Sequence, residues 1–130
     1  MEAEIKKHES GVQAMLELVG GKWRILILHQ LISGRKRTSE LRRAIPAITQ
    51  KVLTQQLREL ERNGIIHRII HHQIPPNVEY EISEYGLTLQ EIIDRICLWG
   101  ENHLDRVYGD KNKVLENHFS DYVPTSPLNG

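Results

Sequence analysis

The chain has 130 residues, 17 basic against 17 acidic side chains, 39% apolar residues and one cysteine. This describes one folded domain with a tail and argues against a disulfide-stapled secreted scaffold. The longest apolar run, residues 25–28, falls far short of the roughly 20 that span a bilayer, and the start MEAEIKKHES lacks the apolar stretch of a signal peptide. A cytoplasmic location with no membrane partner is therefore expected. The neutral total conceals a segregation: residues 22–73 hold 11 basic and 3 acidic side chains, a net +8, and the rest of the chain carries −8. A basic middle between acidic flanks points to a polyanionic partner for the middle.

In chain order, Val12, Met15, Leu16 and Val19 recur at helical spacing until Gly20-Gly21 interrupts them, which predicts a short first helix over 11–19. Residues 22–32 form a second helix, too apolar all round to be exposed, ended by Ser33-Gly34. Thr38 or Ser39 is expected to cap a short third helix containing Leu41 and Ile45, which Pro46 stops. Thr49 as N-cap and Gly64 as the closing left-handed residue frame a fourth helix over about 50–63. Residues 65–72 are rich in β-branched side chains and 78–82 alternate, with two prolines between them, so a hairpin with a stiff tip follows. Ser83 is expected to cap one long final helix to residue 108, with Tyr85, Leu89, Ile92, Ile93, Ile96, Trp99, Leu104 and Val107 at helical spacing. The expected domain spans 1–108. Residues 109–130, which lack periodicity, are assigned to a C-terminal tail.

Three helices, a hairpin and a helix, with a short turn between the third and fourth helices, give a mainly α (α+β) class: a winged helix-turn-helix with a two-stranded wing. With Leu53, Leu57 and Leu60 facing the core, a rotation of about 100° per residue puts Lys51, Gln55, Arg58 and Arg62 on the opposite face, beside Thr54. Amides and hydroxyls bond base edges, and Arg or Lys bonds guanine edges or phosphates. The N-terminal part of such a helix enters the major groove, so Thr49, Gln50, Lys51, Thr54 and Gln55 are base-reading candidates and Arg62 a phosphate contact. An exposed helix also carries such residues for solubility and for pairs such as Arg58 with Glu61 or Glu59 with Arg62, so position within the basic segment supplies the weight. Arg35, Lys36 and Arg37 precede the third helix, where Ser39 and the helix N-terminus offer a phosphate site. The wing, about 72–78, presents His72, Gln73 and Asn77 near its tip, beside His71, for an adjacent groove or backbone.

Taken together, Gly20-Gly21-Lys22-Trp23 with the apolar run after it, residues 53–61 (LTQQLRELE), residues 75–80 (PPNVEY) and Leu98-Trp99-Gly100 closely resemble the HxlR-type winged-helix transcriptional regulators of bacteria and archaea, from about residue 11 to 104. The resemblance implies a homodimer, paired through its first and last helices, whose two recognition helices read a roughly palindromic operator in double-stranded DNA. Val12, Met15 and Leu16 from the first helix and Leu87 and Leu98 from the last are the expected dimerisation residues. Many family members carry a cysteine near the start of the first helix, and in a subset it senses oxidants or electrophiles. Here that position is Ser10, which can form neither thiolate nor disulfide, so thiol sensing does not carry over and the effector is left open. The one thiol, Cys97, is expected to pack as a small hydrophobe rather than act in redox sensing.

No cofactor, metal or catalysis is expected. His67 and His71 lie about 13 Å apart on an extended strand, too far for one ion, and there is no Gly-rich phosphate loop, Cys pair or nucleophile motif. The competing reading is a winged-helix protein-interaction or RNA-binding module without sequence-specific DNA binding.

Overall fold

A computed structural model describes residues 5–116. The chain divides into two compact units, one ending at Gly86 and the other beginning at Leu87.

In the first unit, α1 (Gly11–Val19) starts at Ser10, whose hydroxyl accepts the Gln13 N–H at 3.1 Å. Ser10, where the resemblance implies a cysteine in many family members, is therefore a helix cap, worth about 1 kcal/mol. Gly20 ends the helix so tightly that a Cβ there would sit 2.3 Å from the Leu16 carbonyl oxygen, and Gly21 follows with φ +86°. The turn this creates occupies residues 21–23, so α2 (Arg24–Ile32) starts two residues later than periodicity suggests. Its apolar character matches its burial: Ile27, Leu28 and Leu31 are sealed from water.

The short α3 (Thr38–Ala44) corrects the expected cap. Arg37 is the N-cap residue, Thr38 and Ser39 lie inside the first turn, and Glu40 reaches back so that its carboxylate accepts the Arg37 N–H at 2.9 Å. A carboxylate three residues into a helix can satisfy the orphan donor that a hydroxyl would otherwise leave. After the turn comes α4 (Gln50–Arg62), capped by the Thr49 hydroxyl, which accepts the Val52 N–H at 3.2 Å. Gly64 follows it with φ +75°, the left-handed conformation expected of the closing residue.

The wing pairs β1 (Ile66–His71) with β2 (Asn77–Ile82), antiparallel, in register from Ile66 opposite Ile82 to His71 opposite Asn77. Lys36 adds an isolated bridge on the other side of β2, donating its N–H to the Tyr80 carbonyl at 3.0 Å and accepting from the Tyr80 N–H at 2.8 Å. The core of the unit consists of Val19, Ile27, Leu28, Leu31, Leu41, Ile45, Ile48, Leu53, Leu57, Leu60, Ile65 and Ile66, contributed by four helices, the turn between α3 and α4, and the start of the first strand.

The single final helix expected from Ser83 is two helices. Ser83 accepts the Gly86 N–H at 2.9 Å and caps only α5 (Glu84–Leu87); Thr88 and Leu89 then turn, and α6 (Gln90–Tyr108) begins afresh. Ile93 is sealed, while Ile92, Ile96, Trp99 and Val107, which share its apparent periodic pattern, are exposed. After Gly109, in the segment assigned to the tail, a 3₁₀ turn (Lys111–Lys113) returns against α6, where Lys111 Nζ meets the buried Glu101 carboxylate at 2.7 Å and its N–H bonds Asp105 at 2.6 Å. The part of the expected tail from 117 onward lies outside the described residues. Among the described residues, no helix is long and apolar enough to cross a membrane.

Ser83 is buried, and its hydroxyl also lies 2.6 Å from the Gly64 carbonyl and 2.9 Å from that of Ile65, so it joins the end of the wing to the residue that follows α4. Ser83→Ala leaves the Gly86 N–H without its partner. Urea denaturation is expected to register a loss of about 1–3 kcal/mol, and an unchanged midpoint would show that the hydroxyl is replaceable.

Candidate nucleic-acid interface

The outward face of α4 follows from its inward one. Leu53, Leu57 and Leu60 are buried, and Lys51, Gln55, Arg58 and Arg62 are exposed on the opposite side, with Thr54 half-buried between them. At the N-terminal end, Gln50 Nε2 donates to Thr54 Oγ1 at 3.2 Å, which holds an amide and a hydroxyl together one turn apart. Thr49 uses its oxygen as the helix cap. Gln55 and Lys51 project from the same end. Arg62 lies at the far end, 3.1 Å from Glu59, a pair exposed enough to add little to stability.

The basic stretch before α3 is divided by tertiary contacts. Arg35 bonds Glu81 of β2 at 2.9 Å and Lys36 is held by its backbone to Tyr80, so both brace the wing, whereas Arg37 is exposed. Ser39 is exposed as expected, yet the Glu40 carboxylate takes one N–H at that helix end and puts negative charge where a phosphate was expected. At the wing tip His72 and Gln73 are exposed and Asn77 is half-buried as the first residue of β2. Ile74 stands fully in solvent between them, at a cis peptide bond to Pro75. His71 turns from the tip to bond Glu79 at 2.6 Å.

Two residues that sequence reasoning did not single out orient α4. Arg24, the first residue of α2, donates from Nε to Gln56 Oε1 at 2.7 Å and from Nη1 to the carbonyls of Leu18 at 2.8 Å and Glu17 at 3.1 Å. One guanidinium thus ties the end of α1 and the start of α2 to the middle of α4. The partners are 32 residues apart, beyond the reach of any periodicity.

Of the expected pairing residues, Val12 and Leu16 on α1 are exposed and Met15 is half-buried; Leu87 is exposed and Leu98 half-buried. The exposed apolar line on α6 is Ile92, Ile96, Trp99 and Val107, and the indole of Trp99, 71% exposed, stacks on His103 with ring centroids 5.6 Å apart.

The model of the HxlR-like helix-turn-helix family matches residues 18–108. The uncharacterized HTH-type transcriptional regulator YtcD of Bacillus subtilis is 59% identical over 113 residues, 87% of this chain and 90% of that protein. The crystal structure of YtcD superposes with a TM-score of 0.71 at 58% identity, covering 74% of this chain and 98% of that one. The redox regulator HypR in its reduced form gives a TM-score of 0.72 at 46% identity, covering 77% and 99%.

Similarity to a redox regulator makes the chemistry of Cys97 worth stating. The thiol is half-buried, and its pKa is pushed up to about 11, first by burial and then by the carboxylates of Glu101 and Asp94. A reactive cysteine needs the opposite environment. At pH 7 its alkylation by iodoacetamide is expected to run about 100-fold slower than that of an unfolded chain, since the thiolate fraction falls tenfold per pKa unit. The rate should climb as pH rises through 9 to 11. A rate equal to that of the unfolded chain at neutral pH would reverse this assignment.

Proposed function

The chain belongs to the HxlR-like helix-turn-helix family of transcriptional regulators, and from that premise we propose that it binds a specific, roughly palindromic duplex as a homodimer in the cytoplasm. The observation that carries this reading is the exposed polar end of α4, built on a buried leucine face within a segment of net charge +8. In this reading Gln50, Thr54 and Gln55 meet base edges, Thr49, Lys51 and Arg58 meet bases or the adjacent backbone, and Arg62 and Arg37 contact phosphates. His72, Gln73 and Asn77 bring the wing to the neighbouring groove or backbone.

The second copy is supported by the apolar residues left in water on the first and last helices. Val12, Met15 and Leu16 pair with their counterparts on the partner, together with Leu87, Leu98 and the Ile92, Ile96, Trp99 line. A two-fold axis then spaces the two recognition helices by roughly 34–36 Å, one turn of DNA, or a multiple of it.

Selection of duplexes from a random pool, with excess competitor DNA present, is expected to return one motif with two-fold symmetry. Thr54→Ala and Gln55→Ala should each relax preference at one base position by about 1–3 kcal/mol, and Lys51→Ala should weaken all sequences alike and flatten the salt dependence by about one unit of slope. A pool that yields no motif would favour docking to a protein or RNA instead. For the pairing, Trp99→Glu should shift the sedimentation coefficient from dimer to monomer, and a wild-type monomer at micromolar concentration would refute the homodimer.

A further inference from the structure

The Gly20-Gly21-Lys22-Trp23 turn does more than end α1. It forms part of the wall of a cavity of about 300 Å³, together with Leu16, Glu17, Arg24 and Gln56. That volume lies at the lower end of the range for small-molecule sites. Its electrostatics are one-sided. Glu17, the one carboxylate in the wall, has its own cations, Lys6 at 2.9 Å and His8 at 3.2 Å, and the Lys6 hydrogen bond keeps it below the usual carboxylate range. The two cations in the wall have neutral partners only, among the described residues. Arg24 bonds one amide and two backbone carbonyls, and the Lys22 ammonium lies over the Trp23 ring, 4.7 Å from its centroid. α2 also begins at this wall, with no side-chain cap and no acidic residue in its first turn, which adds a positive helix end to the two charges.

We propose that this cavity binds a small organic anion with a flat apolar body, its carboxylate between Lys22 and Arg24 and its body against Trp23. The site reports to the DNA-facing helix, because the guanidinium that would receive the carboxylate is the one that holds Gln56 of α4. A ligand that redirects Arg24 changes how firmly α4 is held to α1 and α2, so the anion acts as an effector through a shared side chain.

The probe is 4-fluorobenzoate, titrated into the full-length protein and followed by fluorine NMR, with neutral 4-fluorobenzamide as the control. Saturable binding of the acid with Kd of about 1 mM or tighter is expected for a one-ring ligand. Binding should weaken at least about tenfold for the amide and for Lys22→Glu, a change at an exposed residue that circular dichroism should show to be folded. Absence of saturation, or a change under about threefold in either comparison, would overturn the site. Because this titration contains no DNA, its failure is separate from a failure to select a duplex. With a selected duplex in hand, saturating 4-fluorobenzoate should shift wild-type affinity at least about threefold and leave Lys22→Glu unmoved; an unshifted wild type would overturn the link to α4.

Discussion

Three leucines of α4, Leu53, Leu57 and Leu60, are withdrawn from water together with Leu28, Leu31, Leu41, Ile48, Ile65 and Ile66, and each full burial is worth about 1.5–3 kcal/mol. Because a helix is rigid and its side chains are fixed at about 100° intervals, sealing one face leaves the opposite one no choice of direction. Lys51, Gln55, Arg58 and Arg62 face solvent for that reason and not because of any contact of their own. The polar surface of α4 is, at this level, a by-product of core packing.

Packing alone leaves α4 free to roll or slide by small amounts, and directional bonds limit that freedom. The Arg24 guanidinium joins Gln56 to the carbonyls of Leu18 and Glu17, a charge-assisted set that is stronger than neutral hydrogen bonds. On the other side of the unit, Ser83 links the strand end to the carbonyls of Gly64 and Ile65, and Lys36 and Arg35 brace β2. Basic residues that look equivalent in a charge count therefore have different duties: Arg24 and Arg35 hold the scaffold, while Lys51, Arg58 and Arg37 are presented to solvent.

The two ends of the chain combine apolar exposure with inert chemistry. Ser10 caps α1, and Cys97 is made less acidic by burial and by neighbouring carboxylates. The exposed Trp99, Ile92 and Ile96 mark α6 as a face that lacks cover within one copy.

Local signals determined much of this protein without help from the rest of the fold. Gly20-Gly21, Thr49 and Gly64 punctuate the helices they were expected to punctuate, the paired β-branched segments form the wing, and the leucine spacing of α4 names its inner face, because capping, turn conformation and helical phase involve residues only a few positions apart. Tertiary structure decided what local spacing cannot express. A turn at Thr88 and Leu89 separates α5 from α6, a break that the continuous apolar spacing does not show. Glu40 accepts the backbone N–H of Arg37, which makes Arg37, one residue before Thr38, the N-cap. Arg24 found Gln56 across 32 residues, a meeting arranged by the packing of α2 and α4 into one core and recorded nowhere in the spacing of either helix.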